Sequence, residues 1–233
     1  MCIRDRHIPD GFLGVPVSLL SYLVAGVILA IAVVKARTEL DDRTAPLAGL
    51  TAVFIFAAQM INFPVAAGTS GHLLGGALAA ILVGPWVGML VIAVVLAVQA
   101  LLFADGGLTA LGANMLNMAI IATVVGWIVF RLGLRFVRSR TGAAVVAGVA
   151  GFVSVPAAAL GFVAEYAVGG TAPVSISAVA AAMGGVHVLI GIGEGVITGM
   201  VVAAVLASRP DIVVGVRGTA LAGPVVRPEA VTV

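Results

Sequence analysis

The chain has 233 residues, of which 62% are hydrophobic and 9% are charged, with a mean hydropathy of +1.24. Soluble domains carry roughly 25% charged residues, so this composition excludes a soluble globular protein and indicates one that crosses a membrane several times. The formal net charge of +2 comes from few groups and gives no reason to expect nucleic acid as a partner. The single cysteine, Cys2, excludes a disulfide framework and CxxC metal or redox motifs.

Residues 1–6 differ from the rest of the chain because they are polar and contain two arginines and an aspartate. We expect them to be a non-native leader. Residues 7–12 follow as a turn-rich entry segment that contains a proline and an Asp-Gly pair. We predict a membrane-embedded domain over residues 7–207 and a flexible cytoplasmic tail over residues 208–233.

Seven apolar runs predict an all-α, polytopic membrane protein. They lie at residues 17–34, 47–63, 73–83, 86–103, 111–130, 143–168 and 176–207. The third run is shorter than the roughly 20 residues that one helical span needs. It either crosses the membrane by itself or belongs with the fourth run.

The positions of lysine and arginine decide between these two counts. The basic residues form three clusters, between the first two runs, between the fifth and sixth, and after the seventh: Lys35, Arg37 and Arg43; Arg131, Arg135, Arg138 and Arg140; Arg209, Arg217 and Arg227. If the third run crosses, all three clusters face the same side, as the positive-inside rule requires. We therefore predict about seven transmembrane helices, with the N-terminus outside and the C-terminus in the cytoplasm.

Three histidines lie outside the basic loops and are candidates for chemistry. In the predicted topology His7 and His72 share the outer side, where a pair of imidazoles is either a transition-metal site or a structural, hydrogen-bonded pair. His187 and Glu194 lie on one helix face, where they either neutralise each other or orient a metal-bound histidine. Other polar side chains at membrane depth fit interhelical hydrogen bonds or the same site: Gln59, Asn62, Ser70, Asn114 and Asn117.

Several separated motifs carry a resemblance to a known family. They are, in chain order, His7-Ile8-Pro9-Asp10-Gly11-Phe12-Leu13, Asn62-Phe63-Pro64-Val65 leading into Gly68-Thr69-Ser70-Gly71-His72, Gly84-Pro85-Trp86, Gly112-Ala113-Asn114 with Asn117-Met118, and His187 with Gly193-Glu194-Gly195. Together they resemble the substrate-binding membrane components (S components, CbiM/NikM type) of energy-coupling-factor importers for cobalt and nickel. The similarity covers about residues 6–207.

The resemblance implies a particular metal site, with Co(II) or Ni(II) as the transported substrate and no organic cofactor. In that family the metal is held by the N-terminal amine, by the backbone nitrogen and imidazole of a second-position histidine, and by a distant histidine. His7 matches the former histidine and His72 the latter, while Arg6 stands where the family has its initiator methionine. Possible supporting residues around the ligands are Asn62, Ser70, Asn114, Asn117, His187 and Glu194.

The resemblance also implies partners in the cell membrane. They are a transmembrane coupling (T) component, two ATP-binding cassette ATPases and, in cobalt systems, a small accessory membrane protein of the CbiN type. The chain contains no Gly-x-x-x-x-Gly-Lys-Ser/Thr loop. We therefore expect it to be a transporter component that leaves ATP hydrolysis to its partners.

Two other functions remain open from the residues alone. Gly68-Thr69-Ser70-Gly71 matches the Gly-x-Ser-Gly pattern of rhomboid intramembrane serine proteases, with His187 as the base for Ser70. The second alternative is a passive channel or structural membrane protein.

Overall fold

The computed structural model describes residues 7–61, 63–66 and 69–224, which form a helical bundle. The helices are α1 (Val15–Ala36), α2 (Thr44–Met60), α3 (Gly76–Val83), α4 (Pro85–Leu102), α5 (Leu111–Asn114), α6 (Ala122–Gly133), α7 (Arg140–Gly169) and α8 (Ile176–Ser208). A π-helical segment, Met115–Ile121, joins α5 to α6. Strands β1 (Phe63–Ala66) and β2 (Thr69–Gly71) pair antiparallel in a short hairpin. The predicted helical class is confirmed, and this hairpin is its small exception.

The chain passes seven times between two ends of the bundle. At one end, which we call the histidine end, the start of α1 meets the end of α7, where the Gly14 N–H donates to the Gly169 carbonyl at 2.8 Å. At the other, the arginine end, Arg43 in the α1–α2 loop pairs with Asp211 after α8 at 3.4 Å. Every lysine and arginine in the part of the chain that the structure describes lies at or near the arginine end. The predicted grouping of the basic clusters at one end is confirmed for these residues, while Arg227 lies outside the described part of the chain.

The third pass is short and only partly helical. Helix α3 has eight residues, all of them buried, and it ends at Gly84, which lies against Glu39 in the α1–α2 loop. Residues 72–75, which belong to neither helix nor strand and end in the left-handed Gly75, lead into the roughly 12 Å of α3, so the helical part covers less than half of the roughly 30 Å of a bilayer's hydrocarbon core. The third run therefore makes a pass of its own, as the charge pattern predicted, but not as a transmembrane helix.

The helices fit a membrane protein by length and by surface. Among the described residues, five helices are long and apolar enough to span a bilayer when Leu111–Phe136 counts as one, and α2 is a shorter apolar helix. Large apolar side chains on α1 and α8 point away from the bundle, among them Leu19, Leu23, Ile192, Val196 and Met200. Such a surface is stable against lipid chains but not against water. The chain is a multi-pass membrane protein, and its described part has five helices of spanning length rather than the roughly seven predicted.

The described part of the predicted flexible tail folds onto the bundle. After α8, the turns Pro210–Ile212 and Val214–Val216 are 3-10 helical, and Val213 and Val216 are fully buried. Gly215 lies against Phe130 of α6 and Ile81 of α3. The apolar side chains of this segment cover the end of α3, which explains why it does not extend freely from the bundle. Residues 225–233 lie outside the described residues.

Candidate functional site

His7 and His72, from distant parts of the chain, meet inside the histidine end. They are 8% and 9% exposed, their ring centroids are 4.9 Å apart, and their planes meet at 84°. Two imidazoles that bind one ion through bonds of about 2 Å have centroids at roughly this separation. The structure therefore brings the two predicted metal-binding residues to a distance compatible with a shared ion.

The entry segment is tied to the bundle around His7. The side chain of Asn114 accepts a hydrogen bond from the Ile8 N–H at 3.0 Å and donates one to the Ile8 carbonyl at 3.2 Å. Gly106, with φ of +91°, lies so close to His7 that a Cβ there would be 2.9 Å from the Cβ of His7. These contacts hold the main chain around His7 in place, and they thereby fix where its imidazole begins.

Asp10 fastens the same segment to the α4–α5 loop. Its carboxylate accepts hydrogen bonds from the hydroxyl and the N–H of Thr109. The Thr109 hydroxyl holds the pKa of Asp10 below its usual range, against the opposing effect of burial. Asp10 is therefore ionised at neutral pH and keeps its hold on the loop.

A chain of buried amides leads inward from His7. His7 Nε2 lies 3.0 Å from Gln99 Oε1, Gln99 Nε2 donates to Gln59 Oε1 at 2.8 Å, and Gln59 Nε2 donates to the Leu74 carbonyl at 2.8 Å. Gln99 is absent from the sequence-based predictions and Gln59 appeared there only as a polar group at depth. The sequence shows that a glutamine lies inside an apolar run, but it does not show which group the glutamine bonds to.

Glu194 holds the segment that follows His72. It is fully buried, and its two carboxylate oxygens accept the N–H groups of Leu74 at 2.7 Å and Gly75 at 2.9 Å. The described contacts do not include the pairing of Glu194 with His187 that was one of the alternatives, and His187 Nδ1 donates instead to the Met183 carbonyl of its own helix at 2.8 Å. The carboxylate satisfies two main-chain donors that the turn into α3 leaves open.

A cavity of about 360 Å³ adjoins the two histidines. Its polar lining consists of His7, His72, His187, Asn114 and Asn117, and the rest is apolar. Asn117 also donates to Glu165 of α7 at 2.8 Å. Five of the predicted site residues thus share one cavity.

Three predicted site residues are not among the described residues that line this cavity: Glu194, Ser70 and Asn62. Glu194 lies next to the cavity through Leu74. Ser70 belongs to β2, but its side chain lies outside the described residues, and so does the whole of Asn62. Within the described ranges, no three His, Cys, Asp or Glu side chains form a cluster that could hold a metal ion.

Known proteins resemble this chain over most of its length. The family described as "Cobalt uptake substrate-specific transmembrane region" (CbiM) matches residues 7–212. The chain is 42% identical over 207 residues to a putative fused nickel transport protein, NikMN, of Archaeoglobus fulgidus, covering 89% of this chain and 68% of that one. It is 37% identical over 192 residues to the cobalt transport protein CbiM of Sorangium cellulosum, covering 80% and 84%. A crystal structure of a truncated transition metal transporter superimposes with a TM-score of 0.79 at 32% identity, covering 86% of this chain and 98% of that one.

Proposed function

This chain belongs to the CbiM family, the substrate-specific transmembrane region of cobalt uptake, and from that premise we propose that it captures Co(II) or Ni(II) outside the cell for import. Its relatives make it a membrane component of cobalt or nickel transport. The observation that carries the proposed capture of the ion is the pair of buried imidazoles, His7 and His72, at a cavity opposite the arginine end.

We assign His7 and His72 as the metal-binding side chains. Neutral imidazole nitrogen binds both Ni(II) and Co(II) well, so this pair fits either ion. The remaining donors in this proposal are the backbone nitrogen of His7 and the amine of a residue directly before it. In the full chain the nitrogen of Arg6, which directly precedes His7, is a peptide nitrogen, so a chain that begins one residue before His7 tests this donor.

The charge distribution supports an orientation in the cell membrane. The positive-inside rule places the arginine end in the cytoplasm and the histidine end outside. The ion then enters from outside, and the entry segment, tied down by Asp10 and Asn114, closes over it. We propose a transmembrane coupling component and two ATPases as partners, and relatives described as fused nickel transport proteins NikMN and LarMN support a CbiN-type partner.

Metal titration tests this proposal. The purified full chain is compared with a chain that begins with a methionine directly before His7, and each is titrated with Ni(II) and with Co(II). We expect near-stoichiometric binding by the shorter chain and weaker binding by the full chain. His7→Ala or His72→Ala should reduce affinity by more than the roughly 10–100-fold that loss of an outer-shell partner costs.

Thr38, far from the two histidines, provides the control for this titration. Thr38→Ala alters an exposed hydroxyl in the α1–α2 loop at the arginine end and should bind as the unchanged protein does. Binding that survives both histidine substitutions would contradict the assignment. The comparisons give no support to the rhomboid-like alternative with Ser70 and His187, since the relatives are transport proteins.

A further inference from the structure

We propose that Gln99, held in place by Gln59, is a positioning residue that selects the ring tautomer of His7 and so decides which imidazole nitrogen faces the metal. The proposal rests on the proposed function in one respect: the tautomer of His7 matters for transport only if His7 binds the metal. The tautomer itself is a property of the metal-free protein.

The direction of the amide chain is set at its inner end by a group that cannot be reversed. The Leu74 carbonyl can only accept a hydrogen bond, so the Gln59 side chain must turn its NH₂ group toward it. Gln59 Oε1 then faces Gln99 and accepts from its NH₂ group. The Gln99 side chain in turn presents its oxygen to His7.

The Leu74 carbonyl is itself held in place. The N–H of the same residue donates to Glu194 Oε2, and the next N–H, that of Gly75, donates to Glu194 Oε1. Gly75 has φ of +81°, and a Cβ there would lie 2.7 Å from the Ile55 side chain. The turn that carries the carbonyl is therefore fixed by a fully buried carboxylate and by close packing.

His7 must then carry its hydrogen on Nε2. Because Gln99 offers an oxygen, the imidazole nitrogen 3.0 Å away is the donor, and in the neutral ring Nδ1 is the basic nitrogen. Nδ1 is the ring nitrogen nearer the main chain of His7. It is the one that can form a chelate ring with the backbone nitrogen of the same residue, so the selected tautomer matches the proposed ligand set.

His72 and His187 have the opposite tautomer. His72 Nδ1 lies 2.9 Å from the Leu73 carbonyl, and His187 Nδ1 lies 2.8 Å from the Met183 carbonyl. Since a carbonyl only accepts, both rings carry the hydrogen on Nδ1 and have Nε2 as the basic nitrogen. The proposed site thus uses Nδ1 of one histidine and Nε2 of the other.

Both glutamines also fit a purely structural role, because buried amides in a membrane protein commonly join helices by hydrogen bonds. Gln99 of α4 and Gln59 of α2 do connect two helices. A structural role alone makes no demand on the His7 ring. The tautomer of His7 therefore separates the two roles.

The first experiment is ¹⁵N NMR of the metal-free full chain labelled at histidine, of which the chain has 3. It is recorded at about pH 8, above the ordinary histidine pKa of about 6.5. Single substitutions of each histidine assign the signals. We expect hydrogen on Nε2 of His7 and on Nδ1 of His72 and His187, and a His7 ring with hydrogen on Nδ1 would overturn the proposal.

The second experiment compares Gln99→Leu with Gln99→Glu. Leucine removes the acceptor, so the His7 signals should shift toward the other tautomer and Ni(II) affinity should fall about 10–100-fold. Glutamate in its protonated form retains an oxygen facing Nε2 and a hydrogen for Gln59 Oε1, so it should keep the tautomer and hold the affinity closer to that of the unchanged protein than leucine does. An unchanged His7 tautomer in folded Gln99→Leu would overturn the proposal.

His187 provides an internal control for folding. Its ring is held within α8, so its signal should be the same in every folded variant. If Gln99→Leu loses that signal, Gln59→Leu replaces it, because removal of the Gln59 amide frees Gln99 to turn and should mix the His7 tautomers; an unmixed His7 signal would overturn the proposal. Absence of metal binding in the unchanged protein would contradict the proposed function and leave the tautomer result standing.

Discussion

Glu194 shows how one side chain can place a metal-binding residue that it does not touch. Its carboxylate has no charged partner among its hydrogen bonds in the described structure and instead accepts two successive N–H groups after His72. A carboxylate without water or a cation is costly at membrane depth, and two strong hydrogen bonds reduce that cost. We infer that the carboxylate serves to fix the turn between His72 and α3.

Replacing Glu194 should therefore affect both stability and metal binding. Glu194→Leu leaves the N–H groups of Leu74 and Gly75 buried without an acceptor, at about 1–3 kcal/mol each, whereas Glu194→Gln retains one acceptor and should lose less. Thermal unfolding in detergent measures the stability, and Ni(II) titration should show a loss of about 10–100-fold for the leucine variant.

A buried polar residue outside the cavity serves as the control. Among the described residues, the Ser154 hydroxyl bonds only to the Gly151 carbonyl of its own helix, so Ser154→Ala should leave Ni(II) affinity unchanged. If Glu194→Leu bound Ni(II) as tightly as the control, the carboxylate would have no part in placing His72.

The sequence predicted the histidine pair but not the residues that position it. His7 and His72 stand out because imidazoles are rare in such a chain and fall in recognisable motifs. Gln99 gives no comparable signal, and the partners of Glu194 are main-chain groups, which are the same for every residue type. Sequence therefore located the proposed ligands, whereas only the structure revealed the hydrogen bonds that orient them.

At the scale of elements, α7 and α8 pack at backbone distance through glycines. A Cβ added at Gly195 would lie 2.7 Å from the Gly148 carbonyl oxygen, and one added at Gly148 would lie 2.9 Å from the Gly195 carbonyl oxygen. Close approach through small residues is a common basis of helix association in lipid, where apolar side chains gain little from leaving the solvent. This contact holds Glu194, the neighbour of Gly195, against the centre of the bundle.

Two glycines of α8 provide a matched comparison. Gly195→Ala should destabilise the protein by about 1–3 kcal/mol, because an added methyl group forces the helices apart. Gly184→Ala, where a Cβ meets nothing within 4 Å, should instead stabilise it by up to about 1 kcal/mol through helix propensity. Thermal unfolding of both variants measures this, and equal effects would show that the α7–α8 contact is not tightly packed.

Glu39 makes the start of α4 sensitive to pH. Its carboxylate accepts the N–H groups of Trp86 at 3.2 Å and Val87 at 3.1 Å, at a helix end whose cap, Gly84, has no side chain. Burial raises the pKa of Glu39 above its ordinary 4.5, although the two N–H groups oppose the rise. The folded state therefore holds this proton more tightly than the unfolded state does.

The sign of the pH effect follows from that difference. The stabilising contribution of the Glu39 proton is fully present below pH 4.5 and is lost as pH rises through the raised pKa. Unfolding measured from neutral pH down to about 4.5 should show a rise in stability that Glu39→Gln lacks. The same pH profile in both proteins would contradict this. Asp41 and Asp211 have pKa values below the ordinary 3.8. The stability that their carboxylates contribute is therefore lost as pH falls through those lowered values.

Across the whole molecule, charge rather than run length revealed the path of the third pass. Residues 73–83 are too few for a spanning helix, and only the grouping of the basic clusters indicated that they cross. The structure achieves the crossing by combining the non-helical residues 72–75 with the buried helix α3. Apolar periodicity could not predict such a mixed segment. Helix α3 is buried against α4, α6 and α7, so it has no exposed polar face that would produce a periodic pattern.

The proposed orientation can be tested with two exposed hydroxyl residues at opposite ends. Ser177 lies at the start of α8 near the histidine end, and Thr141 lies at the start of α7 at the arginine end. In a background in which Cys2, the single cysteine, is replaced by serine, Ser177→Cys and Thr141→Cys each introduce one thiol. The positive-inside rule places the arginine end in the cytoplasm. A thiol reagent that cannot cross membranes should therefore label the Ser177→Cys protein in intact cells, and the Thr141→Cys protein only after the membrane is opened. The reverse pattern would place the histidine cavity on the cytoplasmic side, and capture of the ion from outside would then be wrong.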